Sequence, residues 1–153
     1  KYLAVNCQLN ASNISHHSIR KYKKSNLVLI NESELRHELR NKESHLDDLI
    51  NELKKFVKTD KVIVTKGKEG AYLYDFKAKE KVHCPAFTSK VVDKVGAGDA
   101  MFSIASLCLS QKFPNDISLF IGSILAANNV EQTGNKYIPK FNDIKKTLKH
   151  ILG

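Results

Sequence analysis

The sequence predicts an α/β fold, a layered domain with a largely parallel sheet flanked by helices, on three observations. Residues 26–30 (NLVLI) and 61–65 (KVIVT) are short, almost wholly apolar runs. Runs of that length and composition suit strands covered on both faces, as in parallel sheets. Between them, Leu46, Leu49, Ile50, Leu53 and Val57 recur at helical spacing, the pattern of a helix packed on such a sheet. Beyond residue 98 the pattern is helical to the end, so strands alternate with helices and helices then close the chain.

In order, residues 3–5 read as a buried strand and 6–13 as a polar loop. Residues 15–23 suit a short helix. The strand at 26–30 stops at Asn31, where a helix begins. The amphipathic helix covers about 44–57 and leads into the strand at 61–65. Gly67 and Gly70 punctuate a turn, answered by a strand at 71–75, and residues 81–84 form another that Pro85 ends. A buried helix covers 98–111. A second starts at Pro114, Asn115 and Asp116 and runs to about Val130, and a last helix carries Phe141, Ile144, Leu148 and Ile151. No repeat, low-complexity tract or second domain is visible. The chain opens without Met on a strand already under way, which reads as a piece whose N-terminal part lies outside the sequence.

At 153 residues, 42% hydrophobic and 27% charged, the chain can bury a core and is not of disordered composition. The formal charge is +9. The excess is mostly Lys, scattered along the chain, with no aromatic-interleaved basic stripe. This argues against nucleic-acid binding and suits a surface that attracts anionic small molecules. Cys7, Cys84 and Cys108 are far apart, so neither a zinc site nor a disulfide framework is expected. The most apolar stretch, 117–127, is too short to cross a bilayer, and a cytoplasmic location without membrane partner is expected. His16 and His17 read as a loop pair rather than as metal ligands.

The most informative stretch is 91–102, VVDKVGAGDAMF. Gly96, Ala97 and Gly98 stand immediately before a helix. Small residues let backbone approach a ligand, and the helix start offers N–H groups and the positive end of its dipole, an anion site. Asp99 follows at the helix start, where a carboxylate is favoured. From pattern alone, a cap residue after a tight turn explains this equally well. A P-loop needs G-x-x-x-x-G-K-[ST], which is absent. The dinucleotide fingerprint needs a glycine where Met101 stands.

Asp93-x-x-Gly96-Ala97-Gly98-Asp99 resembles the C-terminal signature of ribokinase-like carbohydrate kinases, the phosphofructokinase-B type. The resemblance implies that Gly96, Ala97 and Gly98 form an anion hole for the transferred phosphoryl group. It makes Asp99 the base that deprotonates the acceptor hydroxyl, and Asp93 a ligand of a monovalent cation such as K+. Two positions depart from the family pattern: Lys94 replaces a small hydroxyl residue or Pro, and Ile104 replaces Ala or Gly, which suggests looser or different helix packing.

Two further motifs follow strands in the family's order. Asn31-x-x-Glu34 is a helix cap with the spacing of a capping box. The resemblance adds a role for Asn31 in nucleotide binding and for Glu34 in holding magnesium through water. Residues 65–70 (TKGKEG) suit a hairpin turn. The resemblance makes it an ATP-binding turn with Thr65, Gly67 and Gly70 near the nucleotide; Lys66 and Lys68 either add charge near the phosphates or, the favoured reading, stand in a solvated loop. The small-residue helix from Gly122 to Gln132, with Gly134 after it, resembles the last nucleotide-facing helix, with Asn129, Gln132 and Gly134 near the cation. Asn6 and Gln8 resemble, more faintly, sugar-phosphate kinases of bacterial surface-polysaccharide pathways.

The expectation is thus that residues 1–153 are the C-terminal ATP-binding and catalytic portion of a ribokinase-like domain. It is expected to transfer the γ-phosphoryl group of ATP to a sugar or sugar-phosphate hydroxyl with Mg2+ and a monovalent cation, and to have little activity by itself. A homodimer or a fused nucleotidyltransferase domain is a further expectation. The alternatives are a non-catalytic nucleotide-binding or regulatory module of the same fold, or a basic nucleic-acid-binding domain.

Overall fold

A computed structural model describes residues 1–7, 18–87 and 96–130. Its five-stranded sheet has the order β1 (Ala4–Asn6), β2 (Lys24–Asn31), β3 (Lys58–Thr65), β4 (Ala71–Asp75), β5 (Glu80–Cys84). β1 pairs with β2 and β2 with β3 in parallel, in the register Val5↔Val28 and Val28↔Val62. The connections at 66–70 and 76–79 are too short for a parallel crossover, so β4 runs against β3 and β5 against β4. Four of the five strands therefore share one direction. Helices α1 (Glu32–Leu39) and α2 (Leu46–Leu53) connect β2 to β3.

The chain divides into two compact units, Lys1–Lys66 with Tyr72–Val82, and Gly67–Ala71 with His83–Gly153. In the first, Val28, Ile30, Val62 and Val64 from the sheet pack with Leu35 and Leu39 of α1 and with Leu49, Ile50 and Leu53 of α2. Burying each Leu or Ile side chain contributes about 1.5–3 kcal/mol. One polar side chain ties three strands: Asn26 Oδ1 accepts from the Leu3 N–H at 2.9 Å while Nδ2 donates to Asp60 at 2.9 Å. Arg20 stacks on Phe56 at 4.0 Å and reaches Glu38, anchoring a short 3-10 turn at Ile19–Lys21.

α2 is shorter than the apolar repeat predicts. Its helix ends at Leu53, yet Val57 is buried by the turn that leads into β3. The repeat therefore records burial past the last helical residue. A polar cluster joins α2 to the sheet: Tyr74 donates to Asp47 at 2.7 Å, and Lys81 reaches the same oxygen at 2.6 Å.

In the second unit, α3 (Ala97–Ser110) packs on α4 (Asn115–Val130). Met101, Ala105, Cys108 and Leu109 face inward while Leu107 is 56% exposed. α3 is therefore amphipathic rather than buried all round among the described residues, a correction to the sequence reading: an apolar composition does not by itself bury every face of a helix. A Cβ on Gly122 would lie 3.2 Å from the Ala105 Cβ and 3.3 Å from the Met101 Cγ. The close α3–α4 approach runs through Ala105, Met101 and Gly122, and Ile104 beside it is half-buried. α3 ends in a Schellman turn with Lys112 left-handed (φ 62°): Phe113 N–H donates to Cys108 O and Lys112 N–H to Leu109 O. The last predicted helix lies outside the described residues, and no described helix is long and apolar enough to cross a membrane.

The Lys81 and Tyr74 hydrogen bonds hold the Asp47 carboxyl below its usual range. A lowered carboxylate stabilises the fold above its unfolded value, about 3.9, and loses that contribution as pH falls through the lower folded value. The melting-temperature gap between wild type and Asp47→Asn should therefore be present at pH 7 and shrink below about pH 4. A gap that persists unchanged at pH 3 contradicts the assignment.

Candidate functional site

In parallel α/β sheets, ligands gather beyond the C-terminal ends of the strands. Here β2 and β3 end side by side, with Asn31 paired in register to Thr65. Asn31 leaves the strand in extended conformation (φ −82°, ψ 159°) and caps α1. Its Oδ1 accepts from the Glu34 N–H at 2.8 Å, and Glu34 Oε2 accepts from the Asn31 N–H at 3.0 Å, a complete capping box. The pair is thus fixed by backbone, and the Glu34 carboxylate is oriented at the same strand edge as Thr65.

Glu32, the first residue of α1, lies between two cations. Its Oε1 receives Arg36 Nη2 at 2.7 Å and Nε at 3.1 Å, and its Oε2 lies 3.4 Å from Lys66 Nζ. Lys66 and Glu32 side chains are only 17% and 22% exposed. The solvated-loop reading of Lys66 is therefore corrected: a carboxylate from the neighbouring strand end draws it inward. The Glu32–Arg36 spacing is readable in the sequence as an i,i+4 helix pair. The Lys66 partner is not, because it depends on strand register.

The second unit carries the remaining positions. Gly67 (φ 54°) and Gly70 (φ 89°) are both left-handed, with Gly70 N–H donating to Gly67 O at 3.1 Å. Their surroundings differ. Among the described residues, a Cβ on Gly67 would meet nothing within 4 Å, whereas one on Gly70 would lie 2.1 Å from Cys84 O and 2.7 Å from Pro85 C. Packing against backbone accounts for Gly70, and open space at Gly67 leaves room for a ligand.

At the start of α3, the N-cap residue Gly96 is left-handed (φ 85°, ψ −11°) and itself offers no side-chain cap. The first intrahelical bond is Ala100 N–H to Gly96 O at 2.9 Å, so the N–H groups of Ala97, Gly98 and Asp99 precede the helical ladder. Among the described residues, a Cβ at Gly98 would meet nothing within 4 Å. Gly98 and Asp99 are exposed, and Ser103 Oγ donates to Asp99 O at 2.8 Å. This is an open helix mouth with a carboxylate on its first turn, suited to holding an anion and accepting a proton beside it.

The structure thus brings Asn31, Glu34 and Thr65 together at one strand edge, and places Gly96, Ala97, Gly98 and Asp99 on one helix mouth. Asp93, Lys94, Gln8, His16, His17, Gln132 and Gly134 lie outside the described residues, and Asn129 is placed only as part of α4. Cys7, Cys84 and Cys108 are buried free thiols. Burial, and secondarily Glu38 and Glu34, pushes the Cys7 thiol up to about 11. Burial also raises Cys84 and Cys108, which makes all three poor nucleophiles.

The profile described as "pfkB family carbohydrate kinase" matches residues 3–140. A ribokinase of Lactococcus lactis subsp. lactis is 29% identical over 100 residues, covering 65% of this chain and 32% of that protein. Among solved structures, Escherichia coli phosphofructokinase-2 in complex with potassium superposes with a TM-score of 0.75 at 20% identity. That match covers 98% of this chain and 47% of the other. Arabidopsis thaliana ribokinase complexed with ribose and ATP gives 0.73 at 20% identity, over 82% and 41%. The chain spans about a third of the first relative and under half of these structures.

Two substitutions test the local geometry. Gly70→Ala combines a left-handed backbone with a clash against fixed backbone, and should destabilise the second unit by about 3 kcal/mol, read as a lower denaturation midpoint. Asn31→Ala removes the cap and should cost about 1 kcal/mol. A Gly70→Ala protein as stable as wild type contradicts the turn geometry.

Proposed function

Because this chain belongs to the pfkB family of carbohydrate kinases, we propose that it supplies the nucleotide and catalytic-base side of an ATP-dependent sugar kinase. The observation that carries the reading is the open mouth of α3, where exposed Asp99 directly follows Gly98 and a left-handed Gly96.

The acceptor hydroxyl of a sugar or sugar phosphate is a poor nucleophile at neutral pH, and a positioned carboxylate can take its proton as the new bond forms. Asp99 is assigned that role. The hydroxyl oxygen bonds to the γ-phosphorus, the bond to the β-phosphate oxygen breaks, the proton passes to the Asp99 carboxylate, and ADP leaves. Charge on the transferred phosphoryl oxygens is met by the N–H groups of Ala97, Gly98 and Asp99, aligned with the α3 dipole. Fixed donors of this kind need no reorganisation as the charge shifts.

Asn31, Thr65 and Gly67 are assigned to the nucleotide. Among the described residues no three His, Cys, Asp or Glu side chains converge as a metal site. That fits magnesium, which dehydrates reluctantly and is held mostly by phosphates and water with one or two carboxylates. Glu34, oriented by the capping box, is the carboxylate we assign to it through water. Magnesium would supply charge neutralisation between the phosphates. Asp93 is assigned to a monovalent cation on the sequence motif alone. The formal charge of +9 suits anionic substrates arriving from solution.

In the complete protein, Asp99→Asn should lower kcat for sugar phosphorylation by about 10²–10⁴-fold while ATP binding, followed by calorimetry, stays within twofold. Unchanged turnover would remove Asp99 as the base. A wild-type protein that binds ATP yet phosphorylates no sugar or sugar phosphate would favour a regulatory module.

A further inference from the structure

Glu32 and Lys66 are the second residues of the two motifs at the proposed site, and each lies one residue beyond the paired strand ends Asn31 and Thr65. Glu32 is rigidly held. Arg36 takes one of its oxygens with two nitrogens, and Arg36 Nη1 is itself fixed by the carbonyls of Lys42 (2.9 Å) and Ser44 (3.0 Å). The other Glu32 oxygen meets Lys66 Nζ, which also lies 5.9 Å above the Tyr72 ring. Both side chains are mostly shielded from water, so the pair is screened less than a surface pair.

The pair connects two pieces of backbone that the proposed function needs together. Glu32 sits within the Asn31–Glu34 capping box, and Lys66 follows the end of β3 at Thr65. A Lys at this point without a carboxylate opposite would extend into solvent and leave the strand end to sample more conformations. With Glu32 opposite, the ammonium is fixed at the strand edge.

We propose that the Glu32–Lys66 ion pair is a positioning device for the magnesium–nucleoside triphosphate complex: it fixes the end of β3, at Thr65 and Lys66, to the capping box that orients Glu34. The proposal rests on the kinase reading above and goes beyond its residues. Lys66 acts through the strand end and is not itself assigned to proton transfer, so its loss should appear in nucleotide affinity rather than in the chemical step.

The test uses the complete protein, with calorimetric titration of ATP in the presence and absence of magnesium beside steady-state kinetics. Lys66→Met should weaken Mg·ATP binding and raise KM for ATP by about fivefold, the range expected for one partly shielded ion pair. kcat and the KM for sugar should change less than twofold, and Lys66→Arg, which retains the charge, should restore affinity. Glu32→Gln should weaken binding in the same direction, and decides the matter if Lys66→Met does not fold. Wild-type Mg·ATP affinity in Lys66→Met or Glu32→Gln overturns the proposal, as does a loss that Lys66→Arg fails to restore. Wild-type protein that transfers no phosphoryl group overturns the kinase reading and this proposal with it, a result distinct from an unaltered KM in an active enzyme.

Discussion

The in-register parallel pairing of β2 with β3 is the constraint on which the rest depends. It brings Asn31 and Thr65 to the same end of the sheet, and everything assigned to the nucleotide in the first unit follows from that end. Both strands are buried on both faces, so hydrophobic pattern alone does not fix their register; a slipped pairing would bury similar residues. A polar contact removes the ambiguity. Asn26 reaches Asp60 between the paired positions Ser25↔Thr59 and Leu27↔Lys61. A slip of one residue between β2 and β3 would part these two groups, whose desolvation is offset only while they are paired. The sheet's polar minority therefore sets where its strands end, and its apolar majority sets that it forms.

Residues whose signal is local were readable in advance. The runs at 26–30 and 61–65 became β2 and β3, and the strand at 71–75 was met residue for residue by β4. Asn31 and Glu34 stand three apart and make their cap within one helical turn. The readings that failed needed information from elsewhere in the chain. Val57 continues the apolar repeat of α2 but is buried by a turn, so periodicity overshot the helix. Strand ends were underestimated because Lys24 and Lys58 carry no apolar signal and are strand only through their neighbours. Lys66 looks solvated in sequence and is drawn inward by a carboxylate thirty-four positions away (66 − 32).

The candidate site divides along the same line. Gly96, Gly98 and Asp99 form a contiguous motif, and the structure renders it as a left-handed entry followed by an open first helical turn. Gly70 looks like a ligand-approach glycine in sequence, but its neighbours are the backbone of Cys84 and Pro85. Two glycines three residues apart in one turn thus have different causes, one protein backbone and the other open space. Only the surroundings of a missing Cβ separate them.

The capping box also bears on how a structural motif can serve chemistry. A carboxylate that acts on a metal through water must hold its direction without being consumed by direct ligation. Glu34 gains that direction from the backbone N–H of Asn31, the residue at which β2 ends. Its orientation is therefore tied to the end of the sheet. Asp99 follows the same logic at the other motif, since its place is set by the left-handed turn at Gly96 and by the helix that begins there. Both assigned carboxylates stand on the first turn of a helix, where backbone geometry is most reproducible and the dipole favours negative charge. A site built this way tolerates wide variation in the side chains around it, provided that the strand end and the helix start remain where the backbone puts them.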